Sequence, residues 1–239
     1  MFRHADAAMA GSGECSDVLR RKKFKKPVHI VYPGVNPVHF FPWDAAEFRR
    51  KLGLSGFTIG YVGRLAKEKG LGTLMEAAAF LGEGVQLLLI GSGPDELELR
   101  RKARSLGISD RICWISSIDN TDAYRYYNAM DVLVLPSLTT PQWKEQFGRV
   151  LVEAMLCKTP VIGSSSGEIP TVIGDGGSVF PEGNVVALAG SLFRLRTREE
   201  YRIAIAEQGF RRAHSEYTFQ RMAERTLPVF RSLMEGCLS

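Results

Sequence analysis

Between residues 57 and 180 the chain alternates short β-branched and aliphatic runs with stretches whose apolar positions recur every three or four residues. The runs predict strands and the three-to-four spacing predicts amphipathic helices. Strands are expected at 57–62, 85–90, 111–115, 131–135 and 160–164, the fourth stopped by Pro136. Helices are expected at 71–81, 95–106, 122–130 and 148–157, with Gly107 closing the second. Strands alternating with helices imply parallel βαβ units, and strands this apolar imply burial on both faces. The expected fold class is therefore α/β, a doubly wound parallel sheet with helices on both faces.

The ends of the chain follow other patterns. Residues 185–196, 198–214 and 219–234 predict three C-terminal helices, the last kinked or restarted at Pro228. A helix-like stretch at 16–23 precedes an extended segment at 28–32 and the turn Pro33-Gly34. These elements lie upstream of the first βαβ unit and read as the end of another domain. No apolar run approaches the roughly 18 residues of a membrane helix, and residues 1–13 carry no apolar core of a signal peptide. A cytoplasmic protein is expected, with membrane contact at most peripheral.

Composition narrows the function classes. With 239 residues, 45% hydrophobic and 24% charged, the chain is neither disordered, collagenous nor a small disulfide scaffold. The net charge of +5 is local: residues 1–26 hold seven cations against three acids, and the rest is nearly balanced. The cluster at 20–26 could meet nucleic acid or an anionic membrane, but a solvated linker or helix end is the favoured reading. Cys15, Cys113, Cys157 and Cys237 form no C-x-x-C pair, so buried or semi-buried thiols are expected rather than a zinc site or disulfides.

Three glycine-bearing turns follow predicted strands, where open α/β sheets bind ligands. In Gly63-Arg64-Leu65-Ala66-Lys67-Glu68-Lys69-Gly70, Arg64 and Lys69 could neutralise a diphosphate with help from helix N–H groups, although a solvated basic turn would look the same. Gly91-Ser92-Gly93-Pro94 lacks the third glycine of a dinucleotide fingerprint, and no P-loop is present. The third turn leads through Glu145-Gln146-Phe147-Gly148-Arg149 into a helix bearing Glu153. Were the whole stretch helical, ~12 Å would separate the two glutamates, too far for the pair of a retaining glycosidase. They could instead hold two ends of one elongated ligand, with backbone N–H groups at 147–149 offered to an anion between them.

Several motifs in order resemble the group 1 family of retaining glycosyltransferases. They are Gly63-Arg64-Leu65 with Lys69-Gly70, Gly91-Ser92-Gly93-Pro94, Leu106-Gly107-Ile108 with Asp110-Arg111, Glu145-Gln146-Phe147-Gly148 leading to Glu153-Ala154-Met155, Pro160-Val161-Ile162-Gly163 and Gly167-Glu168-Ile169-Pro170. The resemblance covers roughly residues 28–235. It implies a GT-B fold, two Rossmann-like domains with the active site between them, of which this chain carries the C-terminal, donor-binding half. Residues 1–27 would be the remnant of the N-terminal acceptor domain and linker, and residues 28–239 the donor domain with its crossover helices.

By this resemblance Arg64, Lys69 and Glu145 are the catalytic residues. The two cations would bind the donor diphosphate and stabilise the leaving nucleotide, and Glu145 would hold the donor sugar. Gly63, Phe147, Gly148, Arg149, Val150 and Glu153 would complete the donor site, Glu153 on the ribose hydroxyls and the others largely through backbone. Residues 111–118 would lie beside the nucleobase. No metal or cofactor is implied, and the donor would be UDP-, GDP- or ADP-linked. Lys158 stands where the family usually has glycine, so a tolerated, slightly strained turn is expected. Residues 138–144 form an insertion-like loop expected to shape the donor-sugar pocket.

The partners implied are a nucleotide-sugar and the acceptor domain or a separate subunit that supplies it. Without that domain, activity of the chain alone is not expected, and self-association through residues 219–234 becomes plausible. A non-catalytic nucleotide-sugar-binding or partner-subunit module is the alternative. Nucleic-acid binding is disfavoured by the balanced charge beyond residue 26.

Overall fold

The computed structural model describes residues 4–236. It opens with a small parallel unit, β1 (Ala8–Ala10), α1 (Gly13–Arg21) and β2 (Val28–Ile30), followed by α2 (Ala46–Lys51). The main body then alternates β3 (Phe57–Val62), α3 (Leu71–Phe80), β4 (Val85–Ile90), α4 (Glu96–Ser105), β5 (Ile112–Ile115), α5 (Ala123–Asn128), β6 (Val132–Leu135), α6 (Arg149–Leu156), β7 (Val161–Ser164), α7 (Ile169–Ile173) and β8 (Ser178–Phe180). Helices α8 (Val185–Thr197), α9 (Glu199–Glu216) and α10 (Phe219–Gly236) close the chain.

Strands β3 to β8 form one parallel sheet in the order β5-β4-β3-β6-β7-β8. The chain winds outward from β3 in one direction, then crosses back to β6 and winds the other way. This is the Rossmann order, and its reversal leaves a crevice beyond the C-terminal ends of β3 and β6. The apolar runs sit at the centre for the expected reason: all four residues of β6 and five of the six in β4 are buried, covered from both faces.

The predicted strands and helices all form. Two short elements of the sheet region, α7 and β8, were not anticipated; Gly174, Gly176 and Gly177 separate them and break any periodic signal. The N-terminal segment pairs β1 with β2, Ala8 opposite Val28 and Ala10 opposite Ile30, apart from the main sheet. This strand pair spans the boundary expected between residues 27 and 28. Helix α10 continues through Pro228 as a single helix rather than restarting there. Lys158 takes a positive φ of 56°, as its place after α6 requires, and its ammonium pairs with Glu207 at 2.7 Å. Cys15, Cys113 and Cys157 are free thiols, Cys157 buried; Cys237 lies outside the described residues.

Candidate donor site at the sheet crossover

Two loops meet in the crevice. The loop after β3 begins at Gly63, with φ of 150°, and passes the Arg64 carbonyl over the Tyr61 hydroxyl, which donates to it at 2.8 Å. Tyr61 is wholly buried, and burial pushes its phenol far above the ordinary range, so it stays a neutral donor. A 3-10 turn at Lys67–Lys69 then runs into Gly70, whose φ of 66° starts α3. A Cβ on Gly70 would sit 2.0 Å from the Pro136 carbonyl oxygen, so only glycine lets the two loops touch. The Leu138 N–H donates to the Glu68 carbonyl at 2.7 Å and locks that contact.

The Gly91-Ser92-Gly93-Pro94 turn serves as a brace. Leu65 N–H donates to the Ser92 carbonyl at 2.9 Å, and a Cβ on Gly91 would strike the Gly63 carbonyl oxygen at 1.9 Å. Its glycines are spent on close backbone packing behind the Arg64 loop.

The loop after β6 carries Glu145. Glu145 accepts from Lys69 Nζ at 2.8 Å and from Ser137 Oγ at 3.1 Å, with both charged side chains more than four-fifths covered. The Lys69 ammonium also lies 4.4 Å from the Trp143 ring centroid. The Glu145 carbonyl accepts from Glu168 N–H at 3.0 Å, and a Cβ on Gly167 would come within 1.9 Å of that same oxygen. The loop at 138–144 is pinned where Thr139 donates through its N–H and hydroxyl to Glu182.

Gly148, at φ 76°, turns the chain into α6. One turn in, Glu153 is 7% exposed. The Tyr127 hydroxyl donates to its Oε2 at 2.5 Å, and Arg149 Nε pairs with its Oε1 at 2.7 Å. Burial pushes the carboxyl pKa up, while the Tyr127 and Arg149 hydrogen bonds pull it back. Tyr127 is itself driven well above the ordinary phenol value, first by burial and then by the adjacent carboxylate. It therefore remains protonated and donating.

The structure thus brings Lys69 and Glu145 into direct contact, and sets Arg149 on Glu153. Arg64 is exposed, and its side chain has no hydrogen bond or ion pair among the described residues. No hydrogen bond or ion pair joins the Lys69–Glu145 group to the Glu153 group among those residues. Phe147 points inward, 8% exposed, with its ring against Tyr32 and Tyr217, and Val150 packs on the core, so neither side chain offers a polar group to a ligand. Arg111 precedes β5 and bonds the Gly82 carbonyl before β4, at the opposite edge of the parallel sheet. Of residues 111–118 only the end beyond Ile115 reaches the crevice side, a correction to the expectation for the whole segment. Sequence reasoning missed Ser137, Tyr127 and Trp143 as partners, since no local pattern links them. The Arg149–Glu153 pair was available from its four-residue helical spacing.

The family model for glycosyl transferases group 1 matches residues 44–212. The chain belongs to this family. Among curated group 1 relatives, D-inositol 3-phosphate glycosyltransferase 1 of Catenulispora acidiphila is 29% identical over 249 residues, covering 97% of this chain and 58% of that protein. Among solved structures, sucrose-phosphate synthase from Thermosynechococcus elongatus aligns with a TM-score of 0.84 at 28% identity, covering 98% of this chain and 60% of that one. Anabaena Alr3699/HepE, solved in complex with UDP, aligns with a TM-score of 0.87 at 22% identity, covering 98% of this chain and 65% of that one. The last likeness is one of fold, the Rossmann-like domain of GT-B glycosyltransferases. This group 1 chain spans less than two thirds of each of these proteins.

Proposed function

We propose that this chain is the donor-binding half of a retaining, metal-independent glycosyltransferase, acting on a nucleotide-sugar and an acceptor such as a surface polysaccharide or glycolipid. The observation that carries the reading is the pairing of Lys69 with Glu145, with Arg64 exposed on the same loop as Lys69 and without an ion pair among the described residues, all at the crossover of a Rossmann-order sheet. A diphosphate leaving group gathers negative charge as the glycosidic bond breaks, and two cations held there would stabilise it. Arg64 is free to close on the ligand, while Lys69 is already positioned. Glu145, bound to that lysine, stands where an electron-poor anomeric carbon would gain from a carboxylate. Glu153, held one turn into α6, suits the hydroxyls of a ribose. The family membership and the UDP complex of a protein with the same fold support this reading.

Acceptor positioning and water exclusion need a second wall to the crevice. The chain alone is therefore expected to bind nucleotide and to transfer sugar poorly. The test is calorimetric titration with UDP, GDP and ADP, without added metal, repeated on Glu153→Ala. Tight binding of one nucleotide, lost in the variant, supports the donor site and names the base. Absence of binding by all three refutes the reading for this chain.

A further inference from the structure

Glu153 is a buried carboxylate with both oxygens engaged before any ligand arrives. Its two holders differ in freedom. Tyr127 is 1% exposed and its carbonyl accepts from the Thr159 hydroxyl at 2.7 Å, so it is fixed in the core. Arg149 has a side chain 55% exposed and is the first residue of α6. Only Arg149 can leave without disturbing the fold. It also starts at the point of the helix where backbone N–H groups face the crevice, one residue after Gly148.

We propose that Arg149 exchanges partners on donor binding, releasing Glu153 Oε1 to the ribose hydroxyls and moving its guanidinium onto the diphosphate. The inference rests on the donor-site reading above and gives the Arg149 side chain, and not only its backbone, a part in it. Each half of the exchange is unfavourable alone. A nucleoside brings hydroxyls to Glu153 but leaves the arginine without its carboxylate. Pyrophosphate takes the arginine but strands a buried carboxylate on a single tyrosine hydroxyl. A nucleoside diphosphate supplies both replacements at once. Arg149 is thereby a specificity-determining residue that favours the intact diphosphate over its pieces. A guanidinium suits this because its planar fork can pair a carboxylate or a phosphate in turn.

The test measures, by calorimetry on the full chain, the affinity of the preferred nucleoside diphosphate and of the matching nucleoside, for wild type, Arg149→Met and Arg149→Lys. With Arg149→Met the diphosphate is expected to lose about 10-fold, as for a lost charge-assisted hydrogen bond. The nucleoside is expected to bind unchanged or more tightly, so the preference for diphosphate contracts by that factor. Arg149→Lys, which keeps the charge without the fork, is expected to recover part of the preference. Equal losses for both ligands, or an unchanged preference, would overturn the exchange and leave Arg149 as a support of Glu153. Failure of the wild type to bind any nucleoside diphosphate would instead overturn the donor-site reading itself.

Discussion

In the six-stranded sheet every residue of β6 is buried, and the surrounding helices contribute Leu74, Met75, Leu151 and Leu188 with no measurable exposure. In the β1–α1–β2 unit, α1 buries none of its residues, and Met9 and Ile30 are 47% and 42% exposed. The unit is moored by polar contacts instead. Glu14 N–H at the start of α1 donates to Glu168 Oε1 at 2.9 Å, and the Glu14 carboxylate pairs with Lys144. Beyond the unit, Val35 is part of the main core and forms an isolated backbone bridge with Thr218. Apolar burial holds the sheet against any change of ions, whereas the moorings of α1 respond to charge. They also end on Lys144 and Glu168, the neighbours of Glu145 and Gly167, so the position of the unit is felt at the site.

The contrast is broken most severely from inside the sheet. Leu133→Ala, at the centre of β6 with no exposed surface, is expected to cost about 3 kcal/mol in denaturant unfolding. A smaller effect, and one that changes with pH, is expected from Glu153→Gln. Burial raises the folded pKa of Glu153 above its ordinary 4.5, so its ionisation opposes folding. That opposition is absent below about pH 4.5 and complete once the pH passes the raised folded value. The variant is therefore expected to match wild type at pH 4 and to unfold at higher temperature than wild type at pH 7. Equal stability at both would show that Tyr127 and Arg149 offset the burial in full.

The moorings sharpen the contrast from the other side. Glu168→Ala removes the acceptor at the start of α1 and is expected to lower hydrogen-exchange protection there by about 1–2 kcal/mol. Protection in β3, β4 and β6 is expected to stay unchanged; a matching loss there would mean unit and sheet open together. The smallest change is expected from Lys144→Met, below about 1 kcal/mol for a partly exposed pair. Its effect on α1 exchange should vanish in high salt.

The same contrast explains what could be read without coordinates. Continuous apolar runs such as Val85–Ile90 announce central strands, and Gly63, Gly70 and Gly148 mark the turns that make the crevice. The strand Ala8–Ala10 is three residues of small or flexible side chains and has no period to detect. Arg64, Lys69, Glu145 and Glu153 were legible as residue types in ordered motifs. Their partners were not: Ser137 and Trp143 meet the Lys69–Glu145 pair across a loop, and Tyr127 reaches Glu153 from another helix, 26 positions away. Such contacts are created by the winding of the sheet and leave no trace in local spacing.

The strap after β2 has a consequence for how the molecule is made. Gly34 N–H points at the Met222 sulfur across 188 positions of sequence, and Val35 bonds the Tyr217 carbonyl. A ribosome adding about 5–20 residues per second needs roughly 10–40 s to travel that distance. Through that interval the strap has emerged and its partners do not yet exist. The sheet can assemble in order behind it, strand by strand, but this clasp can close only once residues 217–222 have been added.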